Sequence, residues 1–461
     1  MSDLSASPNF VKNRTDLMRG PRSRLRGHAL DILEAGLARG VPGYGTRAKV
    51  RRDGNMLTID GEAYDLDAYD RVRVLGIGKA SFPIAEALED ILGPYLADGL
   101  LVLKKGDNRV LKRIRIIEAA HPIPDETSVR AGEAMLAFAG QCTEKDLVLA
   151  PVTGGATAMA TIPHPGLTLE DLEIMNEIML KSGADIKEMN IVRRHLCRLK
   201  GGRLVTAAQP AMVVTLSLQT ALPGMPWPDM CLPDPETFAD AIALLRRFRV
   251  WDKTPARVRE FLEQAQAMPE LETVKSFAGV NARMVMVGDP PGMCAAAAAK
   301  AAELGYAPMI LASRMHGEAR ETGVCLAGIA DEIIARSRPI AAPCALVTSG
   351  ESPVTITDGA GEGGPNQELA ISFASRANPE RDWVCASIDT DGTDGPTDIA
   401  GGMVDNGTPA LAAERGISLP DVLFAHDSGT ALRALGGSID TGHTGTNLQH
   451  LRVILIDAPK S

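Results

Sequence analysis

The stretch RVRVLGIG at residues 71–78, followed by Lys79 and by ASFPIAEALEDIL at residues 80–92, decides the fold class of this chain. The first segment is rich in apolar and β-branched residues and ends in glycine, which is typical of a buried strand. The second has apolar residues at helical spacing, which predicts an amphipathic helix. A buried strand that leads directly into a helix indicates a β-α-β unit, and such units build parallel sheets covered by helices on both faces.

Strands and helices alternate in this way along the chain, in two series. The further strands predicted for the first series are GLLVLKK (99–105), IRIIEAAHP (114–122), DLVLAPVTGG (146–155) and AMVVTLSL (211–218). Those predicted for the second series are MVMVGD (284–289), APMILAS (307–313), CALVTSGE (344–351), TITD (355–358), WVCASIDT (383–390) and LRVILIDA (451–458). Helices are predicted between them, among them residues 169–190 and roughly 191–208.

We therefore predict an α/β fold with two Rossmann-like domains, each built on a mainly parallel or mixed sheet flanked by helices. A frayed N-terminal tail at residues 1–24 precedes a first domain at 25–275 and a second at 276–461. Open parallel sheets bind ligands outside the carboxyl ends of their strands. The loops after residues 78, 121, 153, 217, 349 and 389 are rich in Gly, Ser, Thr, Lys or Asp. We expect them to form one composite site in a cleft between the domains.

Composition and charge exclude several classes of protein. The chain has 461 residues, 45% of them hydrophobic, and its net charge of −10 argues against nucleic acid as a partner. No apolar run approaches the roughly 20 residues of a membrane span, and the Arg-rich N-terminus lacks the apolar core of a secretory signal. The seven cysteines show no CxxC spacing. They are expected to be reduced, mostly buried thiols in a cytoplasmic protein.

Two Gly-rich turns follow predicted strands and are candidates for phosphate binding. In Gly76-Ile77-Gly78-Lys79-Ala80-Ser81, a ligand could approach the backbone, and Lys79 adds a positive charge. The alternative is a tight turn with a surface lysine. In the segment TGGATA at 153–158, successive backbone N–H groups could form an anion-binding nest, or the small residues could serve close packing.

A densely basic segment covers residues 190–203. Its charges cannot all point to one place on a helix, so part of them belongs to a solvated face. Lys200 comes just before a Gly-Gly pair that ends the segment's helical pattern, and from there it could reach an anion. His121 and His195 are more simply explained as buried, hydrogen-bonded histidines than as catalytic ones.

Four aspartates lie within ten residues of the second half: Asp389, Asp391, Asp394 and Asp398. Intervening Gly and Pro residues preclude a continuous helix, so these carboxylates are predicted on turns at the end of a strand. Such a loop can hold Mg²⁺ through oxygen ligands or orient a polyol substrate. A solvated run of Asp-Gly turns is the alternative.

Read together, these motifs resemble the type II glycerate kinases, also called the glycerate 2-kinase or MOFRL family, some of whose members are labelled hydroxypyruvate reductases. The resemblance runs from about residue 25 to residue 455. It is carried by GIGKAS (76–81), HPIPDE (121–126), TGGATAM (153–159), SGADIKEMNIVRRHLCRLKGGRL (182–204), TSGE (348–351), GEGGPNQELA (361–370), DTDGTDGPTDIAGG (389–402) and HTGTNL (443–448).

The resemblance implies ATP- and Mg²⁺-dependent phosphorylation of the 2-hydroxyl of D-glycerate or a related small sugar acid, with a small hydroxy acid and a nucleotide as partners. A homodimer is compatible with it. Lys79, Asp391 and Asp394 would be catalytic, and the two aspartates would bind the metal. The residues implied in substrate or phosphate binding are Gly78, Ser81, Thr153, Gly154, Gly155, Arg193, Lys200, Asn366, Glu368 and Thr390.

The chain departs from the family pattern where the family has acids and an arginine. Where the family has Ser-Asp-Val, this chain has Ser217-Leu218, and where the family then has Gly-Asp, it has Gly224-Met225. Both acids of the family pattern are therefore missing. The family also has Arg where this chain has Pro365, at a position implied to contact the substrate or the phosphoryl group. Because phosphoryl transfer depends on positioning and on neutralising charge, these losses would cost several kcal/mol, on the order of other electrostatic contributors.

Three hypotheses remain open on the sequence. The first is a kinase with altered substrate preference, for instance a longer sugar acid. The second is a lyase, isomerase or reductase that acts on a small hydroxy or keto acid without ATP, although no complete dinucleotide-binding fingerprint follows any predicted strand. The third is a non-catalytic family member that keeps only the binding site.

Overall fold

The computed structural model describes residues 9–219, 229–356 and 360–459. The chain divides into two compact units, each of which is described by itself. One unit consists of Thr46–Val287, and we call it the central unit. The other combines Met1–Gly45 with Gly288–Ser461, and we call it the terminal unit.

The strands of the described residues, in chain order, are β1 Val50–Asp53, β2 Met56–Ile59, β3 Glu62–Asp65, β4 Arg71–Ile77, β5 Leu96–Lys104, β6 Ile114–Ala119, β7 Asp146–Pro151, β8 Met212–Leu218, β9 Ala282–Gly288, β10 Ala307–Ala312, β11 Cys344–Gly350, β12 Trp383–Asp389, β13 Gly401–Asp405, β14 Ser438–Ile439 and β15 His450–Ile456.

The helices are α1 Arg14–Leu17, α2 Ser23–Gly40, α3 Pro42–Lys49, α4 Ser81–Leu92, α5 Glu126–Ala139, α6 Ala156–Met159, α7 Leu169–Lys181, α8 Ile186–His195, α9 Arg203–Ala207, α10 Phe238–Arg247, α11 Ala256–Ala265, α12 Pro290–Glu303, α13 Ala319–Arg336, α14 Pro365–Arg376, α15 Thr408–Glu414, α16 Leu419–Phe424 and α17 Ser428–Leu435. No helix in the described part of the chain is long and apolar enough to cross a bilayer.

The central unit is built on a six-stranded sheet in the order β6-β5-β4-β7-β8-β9. The β5–β6, β4–β5, β4–β7 and β7–β8 pairs are parallel. Strand β4 is buried from its second residue onward, and its sequence leads directly into α4 as predicted. The carboxyl ends of β4 and β7 therefore lie side by side, and the two Gly-rich turns meet there.

The terminal unit has a mixed six-stranded sheet in the order β10-β11-β15-β12-β13-β14. The last strand, β15, lies between β11 and β12 and is antiparallel to both. One face of this sheet packs on apolar residues of α2 and α12, and the other on α13 and α14. The predicted α/β class with parallel or mixed sheets is confirmed.

The compact units differ from the predicted domains in three places. The frayed tail predicted at residues 1–24 is folded where the structure describes it: it contains α1, and Val11 and Leu17 are buried in the core of the terminal unit. The segment MVMVGD was predicted to open the second series, but most of it lies in β9, which adds an edge strand to the first sheet. Helix α2 was placed in the first domain, but its apolar side packs on α12, β12 and β15. The assignment of β9 and of α2 to a unit depends on contacts between distant parts of the chain. The spacing of apolar residues along the sequence does not show such contacts.

Several local predictions also need correction. The helix predicted over 169–190 is two helices, because Gly183 has a φ of +81° and the Asp185 side chain caps α8. The helix predicted over 191–208 is interrupted between His195, the end of α8, and Arg203, the start of α9. Gly201 and Gly202 end this interruption with φ angles of +65° and +80°, which favour glycine. For the segment TITD, residues 355–356 are irregular and the rest lies outside the described residues. The small sheet β1–β3 was not predicted.

Candidate active site

In the central unit, the turn after β4 is joined to the turn after β7. The backbone N–H of Lys79 donates to the carbonyl of Gly154 (2.8 Å), and the N–H of Ala80 donates to Thr153 Oγ1 (3.0 Å). Gly78 has a φ of +128°, and a Cβ there would overlap Thr153. Glycine is therefore required at residue 78 by both conformation and space.

The hydroxyl of Ser81 is used inside this turn. Ser81 is fully buried, and its Oγ donates to the carbonyl of Gly78 (2.7 Å). Thr153 is buried as well, and its hydroxyl oxygen accepts the N–H of Ala80. Both side chains, implied to bind substrate or phosphate, therefore shape the turn in this structure.

A third loop reaches the same place. Gly155 has a φ of +89°, and a Cβ at Gly155 would lie 3.1 Å from Cδ2 of His121 and 3.1 Å from Cγ of Lys79. Burial, together with the charges of Lys79 and Lys104, lowers the pKa of His121. The loops after residues 78, 121 and 153 thus meet, and Lys79 lies beside the half-buried Gly154-Gly155 pair. This arrangement suits an anion such as a phosphoryl group.

A cavity of about 420 Å³ opens next to this turn. Its lining comes from the loop after β6, the start of α6, and helices α7 and α8. It includes Arg193 and Lys200, the two cations of the basic segment that were predicted as site residues. The lining residues are His121, Pro122, Pro124, Gly155, Thr157, Ala158, Thr161, Leu172, Met175, Asn176, Met179, Ile186, Met189, Asn190, Val192, Arg193, Leu196 and Lys200.

Arg193 and Lys200 are held in the cavity wall by neutral partners. The guanidinium of Arg193 donates to the amide oxygens of Asn176 (2.7 Å) and Asn190 (3.1 Å). Burial lowers the pKa of Arg193. Lys200 is 3% exposed, and its Nζ donates to Thr161 Oγ1 at 3.4 Å. The hydrogen-bond partners of both cations are neutral oxygens, and the buried Asp229 is an acid whose charge acts on both. Two cations beside one carboxylate are suited to bind an anionic ligand.

Other charges of the basic segment are structural. Arg194 pairs with Asp234 (2.9 Å) and Glu236 (2.9 Å) while almost fully buried. The ring of His195 is buried, with Nδ1 2.8 Å from the carbonyl of Ile191. The structure thus confirms that His195 is a buried, hydrogen-bonded histidine.

In the terminal unit, an acidic cluster forms where β15 enters the sheet. In the register of the sheet, His450 lies opposite both Gly350 and Asp389. Its Nε2 is 3.7 Å from Asp389 Oδ2 and 3.9 Å from Oε1 of Glu351. Because β15 runs antiparallel, its first residue meets the carboxyl ends of β11 and β12. The loops after residues 349 and 389 are therefore brought together.

The carboxylates of this cluster repel one another. Burial, together with the charges of Asp391, Asp394 and Glu351, raises the pKa of Asp389 to about 7. Burial likewise raises the pKa of Asp394 to about 6, against hydrogen bonds that favour its ionised form. A divalent cation would relieve this repulsion.

Asp394 has an additional structural role. Its Oδ1 accepts from the backbone N–H (3.1 Å) and the side-chain amide (2.8 Å) of Asn366, and its Oδ2 accepts from the N–H of Gln367 (2.9 Å). Asn366 in turn accepts a hydrogen bond from Ser387 Oγ (2.6 Å). Asp394 therefore caps the N-terminus of α14, and Asn366 is a fully buried residue that positions it.

Asp391, like Asp389, is half-buried, and its Oδ1 accepts from the N–H (2.9 Å) and hydroxyl (3.0 Å) of Thr393. Thr390 is buried, and its Oγ1 accepts from the N–H of Leu448 (2.7 Å). Glu368 is buried too, with Oε2 3.0 Å from Nδ1 of His426. Of the side chains predicted in this unit, that of Asp391 is the most available to a ligand.

Only some of the positions that depart from the family pattern lie in the described residues. Leu218 is the buried last residue of β8, and residues 220–225 lie outside the described residues. Pro365 is half-buried at the first position of α14, where proline is well tolerated because no intrahelical hydrogen bond is lost.

Two functional candidates were missed as site residues, Glu351 and His450, whereas Asp389 was predicted only as one of four aspartates on a loop that could hold Mg²⁺. Glu351 ends the quoted TSGE motif and His450 follows HTGTNL closely, which was the available signal. Nothing in the sequence shows that β15 enters the sheet between β11 and β12, and that topology alone brings the three together.

Oxygen ligands in this cluster fit Mg²⁺. Within the described residues, one donor atom each of Asp389, Asp394 and His450 lies within 4.8 Å of the others. Nη2 of Arg452 donates to Nδ1 of His450 (2.8 Å), and burial lowers the pKa of this histidine to about 3. The neutral ring therefore carries its proton on Nε2, which faces the carboxylates. The remaining donors are carboxylate oxygens, the ligands that Mg²⁺ prefers.

Comparison with known proteins places the chain in a family. A model described as a domain of unknown function (DUF4147) matches residues 28–263, and the MOFRL family model matches residues 344–450. A glycerate 2-kinase from Pyrococcus horikoshii is 35% identical, over 94% of this chain and 99% of that protein. A protein of Agrobacterium vitis, provisionally named hydroxypyruvate reductase, is 38% identical over 84% of this chain and 87% of its own length.

The fold agrees with these sequence matches. A crystal structure of a glycerate kinase from Thermotoga maritima covers 95% of this chain and 100% of its own, with a TM-score of 0.82 and 32% identity. Sequence and fold thus match over nearly the whole chain. The chain therefore belongs to the DUF4147–MOFRL family of glycerate 2-kinases.

Proposed function

We propose that this protein is a kinase that transfers the γ-phosphoryl group of ATP to the 2-hydroxyl of D-glycerate or a related small hydroxy acid. Its relatives named as glycerate kinases support this activity. The geometric observation that carries the proposal is the acidic cluster of Asp389, Asp391, Asp394 and Glu351. Phosphoryl transfer from ATP needs a divalent cation to neutralise the phosphates, and this cluster is suited to hold one.

In the proposed reaction, the acceptor oxygen forms a bond to the γ-phosphorus while the bond to the β–γ bridging oxygen breaks and ADP leaves. The hydroxyl proton passes to a carboxylate base, for which Asp391 is our candidate. Lys79 would neutralise phosphoryl oxygens, and the N–H groups of Gly154 and Gly155 would orient them.

Mg²⁺, when bound, would offset the charge of the nucleotide phosphates. Asp389 and Asp391 would be its main ligands, because Asp394 already accepts three hydrogen bonds at the start of α14. We therefore propose Asp394 as a positioning residue that keeps the loop in place. This differs from the catalytic role that the resemblance implied for it.

We also propose that the protein works in a reducing compartment such as the cytoplasm, and that it forms a homodimer. All seven cysteines are free, and six of them are buried, which supports the first point. Light scattering of the purified protein would test the second.

The experiment is a substrate screen followed by ³¹P NMR. Purified protein with ATP and Mg²⁺ is offered C3 to C6 hydroxy acids, with an ATP-only sample as control. We expect a new phosphomonoester signal and an equal amount of ADP. Absence of both with every acid would refute the kinase and favour an enzyme that does not use ATP or a non-catalytic protein.

A further inference from the structure

The cavity beside the Gly-rich turns is larger than glycerate needs. Its volume of about 420 Å³ lies in the range of roughly 300–1,000 Å³ that proteins use for drug-sized ligands. Glycerate has only three carbon atoms and would leave most of this space filled with water. The chemistry of the wall therefore indicates what kind of molecule belongs there.

One part of the wall is cationic. Among the described residues, neither Arg193 nor Lys200 takes part in an ion pair, although both line the cavity. Lys200 is 3% exposed, and the buried carboxylate of Asp229 is an acid whose charge acts on both Arg193 and Lys200. Asn176 and Asn190 orient the guanidinium of Arg193. One carboxylate does not offset two cations, and a buried cation that is not offset is costly. A carboxylate from a ligand would supply a second negative charge.

Most of the remaining wall is apolar; its polar residues are His121, Thr157 and Thr161. Three methionines, Met175, Met179 and Met189, line it together with aliphatic side chains of α7 and α8. Ile186, which is 45% exposed, extends this surface outward. Hydroxyl groups of a sugar acid placed against these side chains would lose their bonds to water without replacement. An apolar chain would gain from burial, and methionines adapt readily to its shape.

We propose that the acceptor is a 2-hydroxy monocarboxylic acid with an apolar side chain, of the kind represented by 2-hydroxyisocaproate. This proposal rests on the proposed kinase function and specifies its substrate class. The carboxylate binds Arg193 and Lys200, and the side chain lies along the methionines. Gly155 and His121, the lining residues next to Lys79, flank the hydroxyl that accepts the phosphoryl group.

The test compares kcat/KM for both enantiomers of 2-hydroxyisocaproate with that for D-glycerate, in an assay that follows ADP release. We expect at least a tenfold preference for one enantiomer of the branched acid, the discrimination that an apolar pocket achieves for a few methylene groups. An equal or higher kcat/KM for D-glycerate would overturn the proposal.

Two variants test the two parts of the wall. Met175→Gln should raise KM for 2-hydroxyisocaproate at least fivefold with little change in kcat, whereas Met268→Gln, at an exposed residue outside the cavity, should change neither. Arg193→Gln should raise KM for every acid, and the exposed Arg198→Gln serves as its control. If Met175→Gln keeps the wild-type preference for 2-hydroxyisocaproate over D-glycerate, the proposal that the side chain of the substrate lies along the methionines is overturned.

Calorimetry separates failure of this proposal from failure of the kinase function. If wild-type protein binds 2-hydroxyisocaproate, and Arg193→Gln does not, while no acid is phosphorylated, the ligand class stands and the kinase function falls. If glycerate is phosphorylated and 2-hydroxyisocaproate does not bind, the kinase function stands and the ligand class falls.

Discussion

Two aspartates three residues apart have different surroundings. Asp394 is fully buried and holds the N-terminus of α14, whereas Asp391 is half-buried and bound mainly to its own loop. The sequence around both is a run of Asp, Gly and Thr, so it does not distinguish them. Burial does distinguish them, and it supports our proposal that Asp391 is the aspartate that faces the ligand.

We predict that Asp391→Asn raises the Mg²⁺ concentration needed for half-maximal activity at least about tenfold, because it removes a charged oxygen ligand. Asp398→Asn is the matched control, since Asp398 is 85% exposed and pairs with Arg433 at the surface. Activity is measured against Mg²⁺ concentration at fixed ATP. An unchanged Mg²⁺ requirement in Asp391→Asn would place the metal elsewhere.

Lys79 is the cation beside the Gly-Gly turn. We predict that Lys79→Ala lowers kcat by about 10²- to 10³-fold, as losing one electrostatic contributor to the transition state does. The exposed Lys145→Ala should be indistinguishable from wild type. Steady-state kinetics with saturating ATP compares kcat of the two variants with that of the wild type. A less than threefold fall in kcat of Lys79→Ala would contradict the role proposed for Lys79.

At the scale of elements, helix α14 begins where the acidic loop ends. Asn366 accepts from Ser387 Oγ of β12 and donates to Asp394, so one buried side chain joins helix, strand and loop. Its position in an Asn-Gln-Glu triplet suggested ligand binding, but its contacts are internal.

We predict that Asn366→Ala lowers the free energy of unfolding by about 2–3 kcal/mol, because it leaves buried polar groups without partners. Asn378→Ala, which removes hydrogen bonds to the surface residue Glu380, should cost less than about 1 kcal/mol. Urea denaturation monitored by circular dichroism measures both. Equal losses of unfolding free energy in the two variants would show that the buried hydrogen bonds of Asn366 stabilise the protein no more than the surface hydrogen bonds of Asn378.

Glu272 joins the helices of the central unit. Burial disfavours its ionisation, but hydrogen bonds from His195, Lys275 and the N–H of Phe238 outweigh burial and lower its pKa to about 2. Because the folded pKa lies below the ordinary value of 4.5, Glu272 contributes stability above pH 4.5 and loses it as the pH falls towards 2.

We therefore predict that Glu272→Gln costs about 1–2 kcal/mol of unfolding free energy at pH 7, after allowing for solvent screening, and that this difference shrinks below pH 4.5. The exposed Glu270→Gln is the control. Denaturation curves from pH 7 down to pH 3 give the result. A difference that stays constant with pH would indicate lost packing instead of lost charge.

At the scale of the whole molecule, the terminal unit is assembled from both ends of the chain. Helix α2, near the N-terminus, buries large apolar residues against α12 and the strands β12 and β15; they are Leu25, Leu30, Ile32, Leu33 and Leu37. At roughly 1.5–3 kcal/mol for each side chain, their burial is comparable to the 5–15 kcal/mol net stability of a typical domain.

We predict that a fragment of residues 288–461 alone binds a hydrophobic dye and unfolds without cooperativity. The same fragment fused through a Gly/Ser linker to residues 9–45 should unfold cooperatively, because α2 covers the exposed face. Fluorescence and thermal denaturation distinguish the two. Cooperative unfolding of the shorter fragment would show that α2 is dispensable.

Sequence alone determined the α/β class, the Gly-rich turn at Lys79 and the acidic loop after β12, because periodicity, glycine and proline act locally. Only the tertiary structure decided that β15 separates β11 and β12, that β9 joins the first sheet and that α2 packs on the second. It also revealed His450 among the acids and the apolar wall beside Arg193. These features depend on which distant segments pair or pack together. A strand or helix shows the same local pattern of apolar and polar residues whichever neighbour it packs against, so the sequence pattern does not identify the neighbour.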